Sequence, residues 1–328
     1  MSTDGGTRAI IAALLANLGI ALTKFIAYLI THSSSMLAEA VHSVADSGNQ
    51  ALLLLGGKRA QRGASPEHPF GYGRDRYIYA FIVSIVLFSV GGLFALWEGY
   101  EKLAHPHPIE RAWVAFAVLI IAIVLESFSF RTAIVESNRI RGKASWVGFI
   151  RRAKAPELPV VLLEDFGALI GLVFALTGVS LAVITGDSVW DAIGTLAIGT
   201  LLVSIAIVLA TETKSLLVGE AATRADLKKI EAALLAEPEV MSIIHMRTMH
   251  LGPEELLVAV KIAVDGTSTA ADLAAAIDRA EARIREAVPI ARVIYIEPDI
   301  RRASAGPAPE WSPNQQPAPV ADQASGGS

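Results

Sequence analysis

Polar residues recur at helical spacing inside an apolar stretch near the start of the chain. Glu39, His42, Asp46 and Asn49 are spaced three, four and three residues apart, ahead of an apolar run that begins at Leu52. On an α-helix this spacing puts all four on one face. Charged groups are costly inside a membrane and usually mark an ion or proton pathway, so the pattern predicts such a pathway. The alternative is a helix at the membrane surface with an ordinary solvated face.

The composition favours a protein with several membrane-spanning helices. The chain has 328 residues, of which 53% are hydrophobic and only 18% are charged, with a mean hydropathy of +0.49. Its apolar blocks reach the ~20 residues that a helix needs to cross the hydrocarbon core. The chain contains no cysteine, so a metal would be held by histidine, carboxylate or other oxygen ligands. The net charge of −4 averages over segments of opposite sign and identifies no partner.

The apolar blocks predict six membrane-spanning helices. The first is expected to be retained, because the short segment before it carries no cleavage signal of the secretory type. The predicted spans are Thr7–Ile30, Ser34–Gly56, Tyr77–Leu96, Trp113–Ile134, Leu158–Ile184 and Val189–Ala210.

The distribution of basic residues in the linkers predicts the orientation. Lysine and arginine concentrate in the second linker, between Lys58 and Arg76, and in the fourth, between Arg139 and Lys154. The first and fifth linkers contain neither residue type. Basic loops are cytoplasmic in most membrane proteins. We therefore expect a multi-pass protein of the cell membrane with both termini in the cytoplasm.

The composition changes after Thr211 to that of a soluble domain. Thr223 is a candidate N-cap for a helix, with Asp226 three residues further on. The predicted order is α-β-β-α-β, a small α+β sandwich that lacks one strand of the ferredoxin-like pattern. The predicted elements are Arg224–Leu235, Val240–Met249, Leu256–Val264, Ala270–Ala287 and Ala291–Ile296. The domains are thus a six-helix transmembrane transport domain (1–211), a cytoplasmic α+β domain (212–300) and a disordered tail (301–328).

Three motifs carry a resemblance to a known family. They are the stretch from Ser34 to Asp46, the His68-Pro-Phe-Gly-Tyr-Gly73 sequence before the third span, and Leu-Leu-Glu164-Asp165 in the fifth span. Together with the six spans, they make the chain resemble the cation diffusion facilitator family of divalent-metal transporters. The resemblance implies a transporter that exchanges a divalent cation for protons, commonly as a homodimer joined partly through its C-terminal domains. It implies neither an enzyme nor a prosthetic group.

The resemblance implies a transport site between the second and fifth spans. His42 and Asp46 match the family pattern of ligands one helical turn apart. The fifth span departs from it, because Glu164 and Asp165 are adjacent and point about 100° apart on a helix. Glu164 shares its face with glycines at 167 and 171, and small residues at this spacing let another helix approach closely. We therefore expect Glu164 to face a neighbouring helix, with Asp165 beside it as a metal ligand or as a group that orients a ligand. A similar Glu-Asp pair occurs in a branch related to mitochondrial zinc-transporter-like members.

The metal ligands His42, Asp46, Glu164 and Asp165 would suit Zn²⁺, the first choice, and also Mn²⁺, Fe²⁺ or Co²⁺. Metal binds neutral imidazole and ionised carboxylates, so protons compete with it, which supplies a mechanism for antiport. The expected partners are metal ions, protons, the lipid bilayer and a second copy of the chain, without nucleic acid. A membrane-tethered metal-responsive regulator and a passive metal channel are the alternatives. No nucleophile–base constellation indicates an enzyme.

Other polar residues have more than one interpretation. Asn17 could support the polar cavity, while Lys24 more often reaches the outer interface along its apolar stem. Glu126 is either a further intramembrane carboxylate or part of a charge pair with Arg131 near the cytoplasmic end of its span.

In the soluble domain, His245 and His250 are five residues apart on a predicted strand and therefore point to opposite faces. His250, Glu297 or Asp299 could bind a regulatory metal across a dimer, but a half-buried sandwich with a surface histidine is favoured.

Overall fold

The computed structural model describes the backbone of residues 3–31, 34–106 and 112–300. Side chains are described over the same ranges except at 3–5, 31, 34–42 and 45. The described chain divides into a helical unit that ends at Gly219 and an α+β unit that begins at Glu220.

Long helices make up the first unit. Each apolar block of the sequence forms one helix or a pair of consecutive helical segments, because backbone groups in an apolar environment are satisfied within a helix. The helical segments are α1 (Thr3–Thr31), α2 (Ser34–Ala60), α3 (Asp75–Val86), a π-helical segment (Leu87–Leu93), α4 (Phe94–Ala104), α5 (Ala112–Arg141), α6 (Trp146–Arg152), α7 (Glu157–Thr185) and α8 (Val189–Val218).

Five helices within the described side chains are long and apolar enough to cross a membrane. They correspond to the first and the third to sixth predicted spans, with α3, the π segment and α4 forming one of them. The remaining predicted span is α2, whose 27 residues exceed the ~20 needed to cross the hydrocarbon core. The five helices are Gly6–Ile30, Asp75–Ala104, Ala112–Arg141, Glu157–Thr185 and Val189–Val218.

Large apolar side chains cover the outer surface of these helices. Leu15 of α1, Phe128 of α5 and Ile184 of α7 are all exposed. A soluble monomer rarely exposes such a surface, whereas lipid covers it without cost. Trp97, just after the predicted end of the third span at Leu96, and Trp113, at the start of α5, are also exposed. This is the position at which aromatic residues contact the membrane–water interface.

Glycine residues let the third span and α8 approach closely. A Cβ atom added to Gly92, in the π segment, would lie 2.6 Å from Cγ2 and 3.1 Å from the backbone nitrogen of Val203. A Cβ atom on Gly199 of α8 would lie 2.8 Å from the backbone nitrogen of Leu96. The two helices therefore cross at backbone-to-backbone distance, which is the usual packing of small residues between membrane helices.

We expect Gly92→Ala to lower the stability of the helical unit by about 1–3 kcal/mol, because the added methyl group overlaps the backbone of α8. Gly57→Ala in α2 is the matched control, since a Cβ atom there meets nothing within 4 Å. Thermal unfolding of both variants in detergent measures the difference. Equal melting temperatures for the two variants would contradict the close approach.

The second unit is a three-stranded sheet with two helices. Strand order is β1-β2-β3, and β2 pairs with β3 in parallel, with Leu257 opposite Val293. The parallel pair requires a crossover, which α10 supplies. The predicted α-β-β-α-β order is observed, and both helices have the predicted bounds, while all three strands are longer than predicted. The elements are α9 (Arg224–Leu235), β1 (Val240–Gly252), β2 (Glu255–Val264), α10 (Ala270–Ala287) and β3 (Ala291–Ile300).

Side chains fix the ends of the helices in this unit. The predicted N-cap at Thr223 is confirmed, since its hydroxyl accepts a hydrogen bond from the backbone of Asp226 at 3.2 Å. After α9, the buried carboxylate of Glu237 pairs with Arg279 at 3.0 Å and Arg283 at 3.2 Å, both on α10. The hydrogen bond between Arg279 and Glu237 raises the pKa of Arg279. The two helices are thereby held together at one end.

Candidate metal centre

The inward face of α2 carries the polar residues singled out in the sequence. Asn49 and Gln50 are fully buried, and Asp46 is half-buried. His42 lies on the same helix one turn before Asp46, and its side chain is outside the described part of the structure. Asp46 and Asn49 are three residues apart and therefore share a face.

The carboxylate of Glu164, on α7, is held by two amide groups of α2. Asn49 Nδ2 donates to Glu164 Oε1 at 3.1 Å, and Gln50 Nε2 donates to Glu164 Oε2 at 2.9 Å. Glu164 is 7% exposed. Hydrogen bonds to a charged acceptor are strong, and they compensate part of the cost of burying it. Glu164 therefore faces α2, the helix that carries His42 and Asp46.

Asp165 faces a different helix. The hydroxyl of Ser129, on α5, donates to Asp165 Oδ2 at 2.6 Å. Both residues are 1% exposed. Adjacent residues on a helix point about 100° apart, so Glu164 and Asp165 cannot both face α2. The pair thus connects α7 to α2 on one side and to α5 on the other.

A fourth carboxylate belongs to the same cluster. Glu126, on α5, is 3% exposed, and its charge interacts with those of Asp165, Glu164 and Asp46 and with that of Lys24 on α1. Asp46 also acts electrostatically on Glu164. Burial within this cluster excludes the interpretation of Glu126 as an interfacial charge pair with Arg131. Ionised carboxylates in such a cluster repel one another strongly where the dielectric constant is low. A cation relieves this repulsion, so the cluster attracts cations.

Within the described side chains, no group of three or more histidine, aspartate or glutamate residues converges to hold one metal ion. The hydrogen-bond donors explain this. Asn49 and Gln50 hold Glu164 toward α2, whereas Ser129 holds Asp165 toward α5. The described conformation therefore presents candidate ligands that are individually held by neutral side chains.

Helix α1 contributes polar contacts to the cluster. Asn17 Nδ2 donates to Gln50 Oε1 at 3.3 Å, which extends the hydrogen-bond chain from Glu164 to α1. Lys24 Nζ donates to the buried Ser43 Oγ at 3.0 Å. The expectation that Lys24 reaches the outer interface is therefore wrong, because its ammonium group finds a hydrogen-bond acceptor on α2.

An ion pair lies two helical turns before the Glu-Asp pair. Glu157, in the first turn of α7, pairs with Arg76 near the start of α3. Glu157 is seven residues before Glu164 and so lies on nearly the same face of α7. Both charged side chains are largely buried. The pair joins the ends of two helices on the side of the basic linkers.

The α+β unit offers no comparable cluster within its described residues. His245 is exposed and His250 is buried, so they point to opposite faces of β1 as predicted. Glu297 and Asp299 each lie 3.1 Å from Lys261 Nζ, and their hydrogen bonds raise the pKa of Lys261. This pairing favours the surface interpretation of both acids over a regulatory metal site.

The sequence reasoning missed Gln50 and Ser129. Gln50 follows Asn49 directly, but a glutamine at the edge of a polar stripe gives no signal of its own. Ser129 is three residues from Glu126, and this helical spacing was a usable signal. Its partner Asp165 lies on another helix, so only the tertiary contact identifies its role.

Comparison with protein families agrees with this arrangement. A model described as the cation efflux transmembrane domain matches residues 10–218. A second, described as the cation efflux protein cytoplasmic domain, matches residues 222–299. This chain belongs to the cation efflux family. The resemblance to the cation diffusion facilitators is confirmed.

Curated relatives include the proton-coupled zinc antiporter SLC30A9, mitochondrial, of Xenopus laevis and of Homo sapiens. The first is 31% identical over 269 residues, covering 81% of this chain and 48% of the relative. The second is 32% identical over 246 residues, covering 74% and 43%. Metal tolerance protein C4 of Arabidopsis thaliana is 29% identical over 248 residues, covering 75% and 54%. The chain thus spans about half the length of the curated relatives it matches.

We expect Gln50→Met to lower the stability of the metal-free protein by about 1–3 kcal/mol, because it leaves Glu164 Oε2 buried without its donor. Gln61→Met is the matched control, since Gln61 is exposed beyond the end of α2. Thermal unfolding in detergent compares the two. If Gln50→Met unfolds at the same temperature as the control, the amide clamp on Glu164 does not contribute to stability.

Proposed function

We propose that the chain is a secondary active transporter that exports a divalent metal cation from the cytoplasm in exchange for protons. Zn²⁺ is the proposed substrate, and Mn²⁺, Fe²⁺ or Co²⁺ carried by the same mechanism is the alternative. The observation that carries the proposal is the pair of hydrogen bonds from Asn49 and Gln50 on α2 to Glu164 on α7. These bonds hold Glu164 against α2 one helical turn after Asp46, and they support a site between the His42–Asp46 turn and the Glu164–Asp165 pair.

The chemistry of these donors suits a transported cation. One imidazole nitrogen with two or three carboxylate oxygens fits tetrahedral Zn²⁺, and it also fits larger divalent ions whose shells are completed by water. The neutral partners of the carboxylates support release as well as binding. When the ion leaves, the amides of α2 can again donate hydrogen bonds to Glu164, and the Ser129 hydroxyl can again donate to Asp165. The carboxylates of the empty site are then not left without donors.

Proton exchange follows from competition for the same atoms. The ion binds neutral His42 and ionised carboxylates, so its arrival displaces protons and protonation weakens its binding. We propose that metal loads from the cytoplasmic side, the helices rearrange, and protons from the opposite side displace it. The Arg76–Glu157 ion pair supports a closed passage on the basic-linker side in the described conformation.

We expect His42→Ala and Asp46→Ala each to abolish zinc-driven proton flux in proteoliposomes, because each removes one ligand of the proposed site. His68→Ala is the control, since His68 is exposed and its ring packs on Tyr72, 4.6 Å between centroids. A pH-sensitive dye inside the vesicles records proton movement. Wild-type flux in either His42→Ala or Asp46→Ala would overturn the proposal.

The same vesicles distinguish the alternatives. Uptake of Zn²⁺, Mn²⁺, Fe²⁺ and Co²⁺ with and without a pH gradient identifies the substrate. Saturable uptake that ignores the gradient indicates a passive channel, and an absence of uptake for every ion indicates a membrane-tethered regulator. The pairing of Glu297 and Asp299 with Lys261 argues against the regulator.

We propose further that α2 also crosses the membrane, which brings the number of spans to six, and that both termini face the cytoplasm. The basic linkers before Asp75 and before Glu157 support this orientation. The names of the relatives assign them to mitochondria, and for this chain we propose the cell membrane. The transport domain would cover residues 1–211 and the cytoplasmic domain 212–300, and the predicted tail, residues 301–328, lies outside the described part of the chain. The cytoplasmic domain, a reduced ferredoxin-like sandwich, would join two copies.

A chain without cysteine allows a direct test of this topology. Single cysteines introduced by Ser2→Cys and Ala64→Cys are expected to react with an impermeant maleimide only from the cytoplasmic side. Ser188→Cys, in the linker before α8, is expected to react from the opposite side. Labelling of residues 2 and 64 from opposite sides would show that α2 does not cross the membrane.

A further inference from the structure

Glu126 lies on the buried face of α5, in the middle of the carboxylate cluster. Ala122, Glu126, Ser129 and Ala133 are all buried and follow one another at spacings of four, three and four residues. They therefore form one inward stripe. The motifs that define the proposed transport site lie on α2 and α7, so this stripe is not part of them.

The hydrogen bond from Ser129 fixes this stripe against α7. Ser129 Oγ donates to Asp165 Oδ2 at 2.6 Å. Glu126 is one turn before Ser129 on the same buried face of α5, so it lies on the side of α5 that meets Asp165.

The charges around Glu126 are mostly negative. Glu126 is 3% exposed, and three acids, Asp165, Glu164 and Asp46, act on its charge together with one cation, Lys24. Asn49 Oδ1 is buried without a hydrogen-bond partner among the described side chains, although Asn49 Nδ2 is bound to Glu164. Buried acceptors are normally satisfied, and one ammonium group does not balance four carboxylates. The excess of acceptors indicates a positively charged occupant.

We propose that Glu126 and Asp165, with the Ser129 hydroxyl, form an oxygen-only binding position for a divalent cation on the α5 side of the transport site. This inference rests on the proposed function. No group of three or more acidic or histidine side chains that could hold a metal is present among the described side chains. The two carboxylates therefore fill only part of the coordination shell, and water completes it. Asp165 is adjacent to Glu164, which faces the helix that carries His42 and Asp46, so an ion can pass between the two positions by exchanging neighbouring carboxylates.

The donor set determines which ion each position prefers. Carboxylate, hydroxyl and water oxygens suit hard cations such as Mn²⁺, whereas the imidazole of His42 suits Zn²⁺. Glu126 would therefore affect Mn²⁺ more strongly than His42 does. A position that holds Mn²⁺ without imidazole also provides a probe that is independent of zinc transport.

Mn²⁺ binding to the purified full-length chain in detergent tests the proposal, with the EPR signal of free Mn²⁺ as the readout. We expect Glu126→Gln to weaken binding at least about tenfold, and Glu126→Asp, which keeps the charge, to weaken it less. Glu136→Gln is the control in the same helix, because the carboxylate of Glu136 pairs with Arg139 at 2.8 Å. His42→Ala is expected to retain the Mn²⁺ binding that Glu126→Gln removes.

The melting temperature of the metal-free protein separates a binding role from a structural one. Glu126→Gln removes one buried negative charge from a cluster of acids, so its melting temperature is expected to equal or exceed that of the parent. A lower melting temperature, unchanged Mn²⁺ binding in Glu126→Gln, or an equal loss of binding in Glu136→Gln would overturn the inference. Failure of the transport proposal is recognised separately, by wild-type zinc-driven proton flux in His42→Ala.

Discussion

The hydrogen bonds from Asn49 and Gln50 to Glu164 are the contact on which the helical unit's polar interior depends. A carboxylate between membrane-spanning helices needs donors, since lipid supplies none. The amides of α2 supply both, and Asn17 of α1 extends the chain to a third helix. The apolar faces of these helices can then point to lipid while the polar groups satisfy one another.

The adjacency of Glu164 and Asp165 gives the cluster its shape. One carboxylate is directed to α2 and the other to α5, so α7 connects two neighbours that each bring a further acid, Asp46 and Glu126. In a family whose ligands are expected one turn apart, this pair distributes negative charge over a wider region. Under the proposed function, a cation in that region would meet oxygen donors on three helices, α2, α5 and α7.

Close packing joins the other helices of this unit. Gly92 and Gly199 bring the third span and α8 to backbone contact, while Arg76 and Glu157 join α3 to α7 near the basic linkers. Ion pairs also stabilise the α+β unit. A buried Glu237 binds two arginines of α10 there, and Lys261 pairs with Glu297 and Asp299. These acids of the α+β unit each meet an arginine or a lysine, whereas the acids of the helical cluster lie beside one another.

The sequence by itself determined the helices, the order of the α+β elements, the N-cap at Thr223 and the family, because hydropathy, periodicity and capping act over a few neighbouring residues. It also identified Asp46, Glu164 and Asp165 as acids inside apolar helices. Only the tertiary structure decided which helix each acid faces, that Lys24 turns to Ser43, and that Glu126 is buried in the cluster. These three features depend on contacts between residues far apart in the chain, such as Gln50 with Glu164. Helical spacing fixes the direction of a residue on its own helix, but it does not determine which neighbouring helix lies in that direction.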